Sequence, residues 1–184
     1  MSYYQWIESP VAPLLLTASN SGLSGLYLEG QKHFPKISAD WTASPELPIF
    51  ARAQAQLNEY FAQERQTFDL SLDPQGTRFQ KQVWQYLRQI PFGETTSYGA
   101  IARALGKSGA AQAVGAANGR NPISIIVPCH RVVGSSGQMT GYAGGIDKKQ
   151  WLLRHEQRVV GREFSVGSRQ LSAETFQPLL ALFE

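Results

Sequence analysis

Two apolar or alternating runs open the chain, at residues 11–17 and 23–28. Between them lies Asn20-Ser21-Gly22, which is turn chemistry, so the pair predicts a β-hairpin. From residue 49 to 63 the period changes. Phe50, Ala53, Leu57, Tyr60 and Phe61 recur at helical spacing behind Pro48, which predicts an amphipathic helix. A short strand is expected at 67–72, and Asp73-Pro74-Gln75-Gly76 then reads as a linker. The pattern predicts a small α/β unit over residues 1–75 and a second unit after it.

The second half is helical in its period. Residues 79–90 place Phe79, Val83, Trp84, Leu87 and Ile90 on one face, and Pro91-Phe92-Gly93 ends that helix. A second helix is expected at 98–105 and a third at 110–118, joined by Gly106-Lys107-Ser108-Gly109. Helix, glycine-bearing turn, helix is the helix-turn-helix pattern. The third helix is nearly all small, with Ala110, Ala111, Ala113, Gly115, Ala116 and Ala117. Such a face suits either tight packing on a neighbouring helix or close approach to a phosphate backbone. Residues 123–127 form a continuous apolar run, expected as a buried strand, and 134–145 form a loop holding five glycines. A last helix is expected at 148–155. The tail, 157–184, predicts an extended piece at 163–166 and a short helix at 173–183, bent at Pro178.

Composition narrows the classes. Of 184 residues, 42% are hydrophobic, enough for a buried core. No apolar stretch approaches the roughly 20 residues of a membrane span. Residues 1–6 lack the basic and apolar regions of a secretory signal, so a cytoplasmic protein is expected. Lys and Arg exceed Asp and Glu by 17 to 14, a weak bias towards a polyanionic partner. There is one cysteine, so neither an intrachain disulfide nor a cysteine-rich zinc site can form, and His33, His130 and His155 are scattered. Neither metal nor cofactor is expected.

That cysteine, Cys129, ends the apolar run in Val127-Pro128-Cys129-His130-Arg131-Val132. Pro128 interrupts strand pairing, so the backbone turns there. His130 and Arg131 would bring two potential positive charges to the sulfur. A free thiol is only about 3% thiolate at pH 7, and an imidazole that accepts its proton raises the reactive fraction. Side chains alternate along a strand, which disfavours direct Cys129–His130 contact and points to a bridging water. Glu156, in Trp151-Leu152-Leu153-Arg154-His155-Glu156, is the candidate that would hold the imidazole.

Residues 91–156 resemble the O6-alkylguanine-DNA alkyltransferase family. The matching pieces are Asn118-Gly119-Arg120-Asn121-Pro122, Pro128-Cys129-His130-Arg131-Val132, Gly141-Tyr142-Ala143-Gly144-Gly145 and the segment from Trp151 to Glu156, in family order and spacing. The first 75 residues fit only in length and coarse pattern. The resemblance implies an α/β ribonuclease-H-like domain at 1–75, a mainly α domain with a DNA-binding helix-turn-helix at 76–156, and an extension at 157–184. It implies that Cys129 is the nucleophile, His130 its base through a water, and Glu156 the orienting carboxylate, with Asn121 bracing the turn. Tyr98 would bond guanine N3, the Cys129 and Val132 carbonyls the exocyclic amine, and the Ala143 amide O6, with Tyr142 walling the pocket. Gly99, Ala110, Ala111, Gln112, Asn118, Gly119 and Ser135 would meet double-stranded DNA from the minor groove. The implied reaction is stoichiometric, irreversible alkyl transfer from O6-alkylguanine, and from O4-alkylthymine, by a monomer that flips the lesion out of the duplex.

Two residues depart from that family. Gln112 stands where members carry the arginine that fills the gap left by the flipped base, and Ser124 where some have a pocket-bordering proline. Weaker flipping and poorer capture of benzylguanine are expected. Some members bind zinc in the first domain, where this chain has no cysteine. The alternatives are an alkyltransferase-like lesion-binding protein, which would carry tryptophan at Cys129, a helix-turn-helix regulator without chemistry, and a Cys-His-Glu hydrolase.

Overall fold

The computed structural model describes residues 2–161. The expected tail elements at 163–166 and 173–183 lie outside the described residues. The expected hairpin is present as β2 (Leu14–Ser19) and β3 (Gly22–Leu28), turning at Asn20-Ser21. Gly22 is obligatory: a Cβ there would sit 2.5 Å from the Ser71 carbonyl oxygen. To this hairpin the fold adds β1 (Ser2–Ile7), antiparallel to β2, and β4 (Trp41–Ala43), parallel to β1, giving the order β3-β2-β1-β4.

Leu14, Leu15 and Leu16 of β2 are all fully buried, because both sheet faces are covered. Leu14 and Leu16 join the main core with Phe50, Ala53, Leu57 and Tyr60 of α1 (Pro48–Phe61). Leu15 faces the other way, between its strand neighbours Trp6 and Tyr27. Phe34 closes that face, stacked on Trp6 at 5.8 Å and edge-on to Tyr27 at 6.0 Å.

The strand expected at 67–72 does not form. Gln56 of α1 takes its backbone instead, accepting from the Asp69 amide at 2.8 Å and donating to its carbonyl at 2.9 Å. Only Leu72 bridges to Leu23 at the outer edge of β3.

Helix α2 (Arg78–Leu87) starts with a capping box between Thr77 and Gln80. The helix-turn-helix is α3 (Tyr98–Ala104) and α4 (Ala111–Gly119). Ser97 caps α3 through the Ala100 amide at 3.2 Å, and Trp84 of α2 fixes α4 from beneath by donating to the Ala117 carbonyl at 2.9 Å. A two-residue parallel pair, β5 (Thr96–Ser97) with β6 (Val132–Val133), seats the start of α3 beside the cysteine segment. Helix α5 (Ile146–Val159) runs past the expected domain end at Glu156. One hydrophobic cluster runs from Ile7 and Leu14 through Val83, Ile101 and Val127 to Leu152, so both units share a core.

The run 123–127 is buried but is not a strand. Ile125 sits at φ 70, and the Val127 amide turns back to the Ile123 carbonyl at 3.0 Å. A β-branched residue there costs on the order of 1–3 kcal/mol. Asn121 offsets it, donating to the Val127 carbonyl at 2.8 Å and the Ile123 carbonyl at 3.3 Å and accepting from the Ile123 amide at 3.1 Å. One bridge, Ile123 to Leu26, ties this loop to the outer edge of β3.

Candidate active site

Pro128 delivers the chain into a single 3-10 turn, Cys129–Arg131, where the backbone is expected to turn. Its three side chains part company. Cys129 is 3% exposed and His130 fully buried. The His130 Nε2 lies 2.7 Å from Glu156 Oε1. Arg131 turns to the same carboxylate, with Nε 2.9 Å from Oε2 and Nη2 3.0 Å from Oε1, and its Nη1 donates to the Ile90 carbonyl at 2.6 Å. Its guanidinium also lies 5.6 Å from the centre of the Phe92 ring. Arg131 therefore neutralises Glu156 and is not the sulfur's counter-ion.

Glu156 accepts five hydrogen bonds, the others coming from the Tyr60 hydroxyl at 2.9 Å and the Gly93 amide at 3.0 Å. Burial alone would raise its carboxyl, but the positive neighbours and these donors outweigh it and hold the group far below the usual carboxylate range. Burial also keeps His130 below the usual imidazole range, against the pull of Glu156, so the ring is neutral at pH 7. Arg131 is then the cation that keeps Glu156 ionised. An ionised carboxylate only accepts, so Nε2 carries the proton and Nδ1 presents its lone pair. Nδ1 is buried and has no hydrogen-bond partner among the described residues. The arrangement is a base with its acceptor nitrogen open.

Burial pushes the Cys129 thiol up, so it rests protonated. The Asn121 amide, the Lys149 ammonium and the backbone N–H groups of Cys129 and His130 pull the other way and would stabilise a thiolate once formed. Lys149 is the cation that sequence reasoning assigned to His130 and Arg131. It is fully buried on α5, and its Nζ donates to the carbonyls of Val132 at 2.6 Å and Thr140 at 2.8 Å. Burial drives its pKa down to about 8, with the cysteine's charge acting upward. A lysine embedded in a helical apolar pattern gives no sequence signal. Tyr60 was missed for the same reason, as it reads as one more apolar position of α1.

The glycine-rich loop encloses this centre. Tyr142 is 9% exposed, and its hydroxyl faces Ser124 without a full hydrogen bond. The Ala143 carbonyl accepts from the Lys32 amide at 2.8 Å. Tyr98 is half-buried, and its hydroxyl reaches the Thr140 and Gly141 carbonyls only at 3.3 and 3.4 Å. That donor is weakly held.

Of the residues expected at DNA, Gln112 is exposed on α4, with Ala110, Ala111 and Gly119 partly exposed around it. Gly99 is half-buried on α3 and Ser135 exposed in the glycine-rich loop. Asn118 is placed differently. It is 2% exposed on the inner face of α4 and donates to the Cys129 carbonyl at 3.3 Å, so in this conformation it supports the cysteine turn and does not face outward.

Two family models match the chain. The ribonuclease-like domain of 6-O-methylguanine DNA methyltransferase matches residues 2–74, and the DNA binding domain of the same family matches 78–158. The methylated-DNA–protein-cysteine methyltransferase of Methanosarcina barkeri is 50% identical over 156 residues, spanning 84% of this chain and 97% of its own. That of Mycobacterium tuberculosis is 51% identical over 156 residues, spanning 85% and 93%. The crystal structure of Mycobacterium tuberculosis OGT in complex with DNA superposes with a TM-score of 0.81 at 50% identity, covering 85% of this chain and 94% of that one. The structure of Mycobacterium tuberculosis O6-methylguanine methyltransferase gives 0.78 at 51% identity, covering 86% and 94%. With the two models together matching residues 2–74 and 78–158 and relatives at half identity over most of its length, the chain belongs to the 6-O-methylguanine DNA methyltransferase family.

Proposed function

We infer that this protein repairs alkylated DNA directly, by moving the alkyl group from guanine O6 to Cys129, once per molecule. The observation that carries the reading is the relay behind the only cysteine: Glu156 fixes the His130 tautomer at 2.7 Å and leaves Nδ1 open as a base. His130 takes the thiol proton through a water. The thiolate, held by Lys149 and the backbone amides, attacks the alkyl carbon in line. A C–S bond forms, the C–O6 bond breaks, and its electron pair passes to the guanine ring. Tyr98 donates to N3 as that charge develops, and the ring takes up the proton the thiol gave. The Cys129 and Val132 carbonyls receive the exocyclic amine. The Ala143 amide faces O6 and Tyr142 walls the alkyl group. The thioether has no route back. The same displacement extends to O4-alkylthymine.

A thiol that is 3% exposed cannot meet a base stacked in a duplex, so the nucleotide is flipped into the protein, at a cost of a few kcal/mol. Helix α4 approaches from the minor groove. Three of its small residues are not required by packing within the chain: a Cβ on Gly119 would meet nothing within 4 Å, and Ala113 and Ala116 are exposed. Arg103, Lys107 and Arg120 lie exposed at the ends of the two helices for phosphate contact. Among the described residues no helix is long and apolar enough to cross a membrane. The protein works as a cytoplasmic monomer of two domains, 1–75 and 76–156, with 157–184 as an extension.

The test is intact-protein mass after mixing with duplex DNA carrying O6-methylguanine. A gain of one methylene unit, mapped to Cys129 and saturating at one per molecule, is the expected result. Tight binding to the lesion without a mass change would replace this reading with the lesion-binding one.

A further inference from the structure

Tyr60 belongs to the first unit, yet its hydroxyl ends in the relay of the second. It lies at the end of α1, fully buried, and donates to Glu156 Oε1 at 2.9 Å. That same oxygen takes His130 Nε2 at 2.7 Å and Arg131 Nη2 at 3.0 Å. The position is fixed twice more. His155, one residue before Glu156, donates from Nε2 to the Tyr60 carbonyl at 2.8 Å. The Tyr60 ring packs on Phe61, Phe68, Phe92 and His155 at 5.1–6.0 Å. Packing alone would be served by phenylalanine. The hydroxyl is the part that needs an explanation.

We propose that Tyr60 is a positioning residue for alkyl transfer: by sharing Glu156 Oε1 with His130, its hydroxyl limits how tightly the carboxylate holds the imidazole, and so keeps His130 neutral and ready to accept a proton. A carboxylate oxygen with three donors gives less electron density to each. Removing the phenol leaves Oε1 to His130 and Arg131, which strengthens the bond to Nε2 and favours imidazolium. Imidazolium has no lone pair at Nδ1 and cannot take the Cys129 proton. The charged groups around His130 are Glu156 and Lys149 from α5 and Arg131 from the same turn, with Cys129 preceding it. Tyr60 from α1 and Tyr142 from the glycine-rich loop are the phenols coupled to the carboxylate. His155 points away, onto the Tyr60 carbonyl. Tyr60 is the only donor to Glu156 that comes from the first unit, among the described residues, so the reactivity of the cysteine depends on how α1 docks against α5.

This inference rests on the alkyl-transfer reading, and its test separates the two. Single-turnover transfer from O6-methylguanine duplex is followed against pH for the native chain and Tyr60→Phe. In parallel, the His130 ring nitrogens are titrated by ¹⁵N NMR in the DNA-free protein. The expected result is an acidic limb moved upward by about half to one pH unit, so that transfer at pH values well below the native limb's midpoint slows about three- to tenfold while the rate at pH 8 changes much less. The ¹⁵N titration of His130 moves by the same amount. Site-specific 3,5-difluorotyrosine at position 60, nearly isosteric and a stronger donor, moves both the opposite way and decides the matter should Tyr60→Phe fold poorly. Superimposable profiles and titrations, or a downward shift in Tyr60→Phe, would overturn the proposal. If the native chain transfers no alkyl group, the functional reading fails, while the ¹⁵N titration still reports on Tyr60.

Discussion

Replacing Glu156 with glutamine probes the hub of the buried network. The carboxylate is fully buried and accepts five hydrogen bonds, two of them from Arg131. Glu156→Gln keeps the shape but supplies one acceptor oxygen and turns the other position into a donor facing donors. Arg131, 5% exposed, is left as a buried cation without a counter-ion. Breaking such a pair from one side costs about 3–5 kcal/mol, a large part of the roughly 5–15 kcal/mol that holds a domain folded. With a urea slope of about 2 kcal/mol per molar, the midpoint falls by about 1.5–2.5 M. The pH dependence gives a second reading. The folded carboxyl lies well below its unfolded value near 4.3, so its contribution is complete above that pH and is lost as pH falls through and below it. The native chain therefore loses stability steeply below about pH 4.5, and Glu156→Gln lacks that component. Adding Arg131→Met to Glu156→Gln removes the orphaned cation and recovers at least half of the loss. A loss below about 1 kcal/mol for the single variant at pH 7.5, or an unchanged slope between pH 3 and 5, would refute the reasoning.

Cys129→Ser is expected to keep lesion binding and lose all mass gain in the intact-protein assay. Asn121→Ala removes three hydrogen bonds that hold Ile125 at φ 70, and is expected to lower stability by about 2–3 kcal/mol in urea unfolding, with slower transfer. Gln112→Arg is expected to speed transfer from duplex DNA and leave single-stranded substrate unaffected; an unchanged duplex rate would remove Gln112 from base flipping. Ser124→Pro is expected to raise sensitivity to benzylguanine, but it also deletes the Ser124 amide's bond to the Leu26 carbonyl at 2.9 Å, so the thermal midpoint should fall by the equivalent of about 1 kcal/mol.

Local periodicity made the helices legible. The residues of α1, α2, α4 and α5 carry apolar or small side chains at intervals that tertiary packing did not override, and the Asn20-Ser21-Gly22 turn marked its hairpin. Strand β1 escaped because Tyr3, Tyr4 and Trp6 put amphipathic rings on both faces and blurred the alternation. The two false strands share a cause. Gln56 satisfies Asp69, and Asn121 satisfies Ile123 and Val127, so side chains supplied the bonds that a strand would have required. At the centre, Cys129, His130 and Glu156 were legible because short motifs carried them. Lys149, Tyr60 and the inward turn of Asn118 were not, since their roles depend on which helix face meets which neighbour.

The outer edge of β3 binds main chain from both sides of the linker: Leu23 with Ser71 and Asp73, and Leu26 with Pro122 and Ser124, all at 2.8–2.9 Å. A border drawn along the sequence near residue 75 is therefore not a seam at which parts can be exchanged. Severing the chain there and removing the first unit would strip the cysteine loop of the strand that templates it, and removing the second would bare a strand edge prone to aberrant pairing. Chimeras between family members should succeed when the backbone course and the buried apolar side chains at positions 23 and 26 are retained, and should fail on a register slip of a single residue.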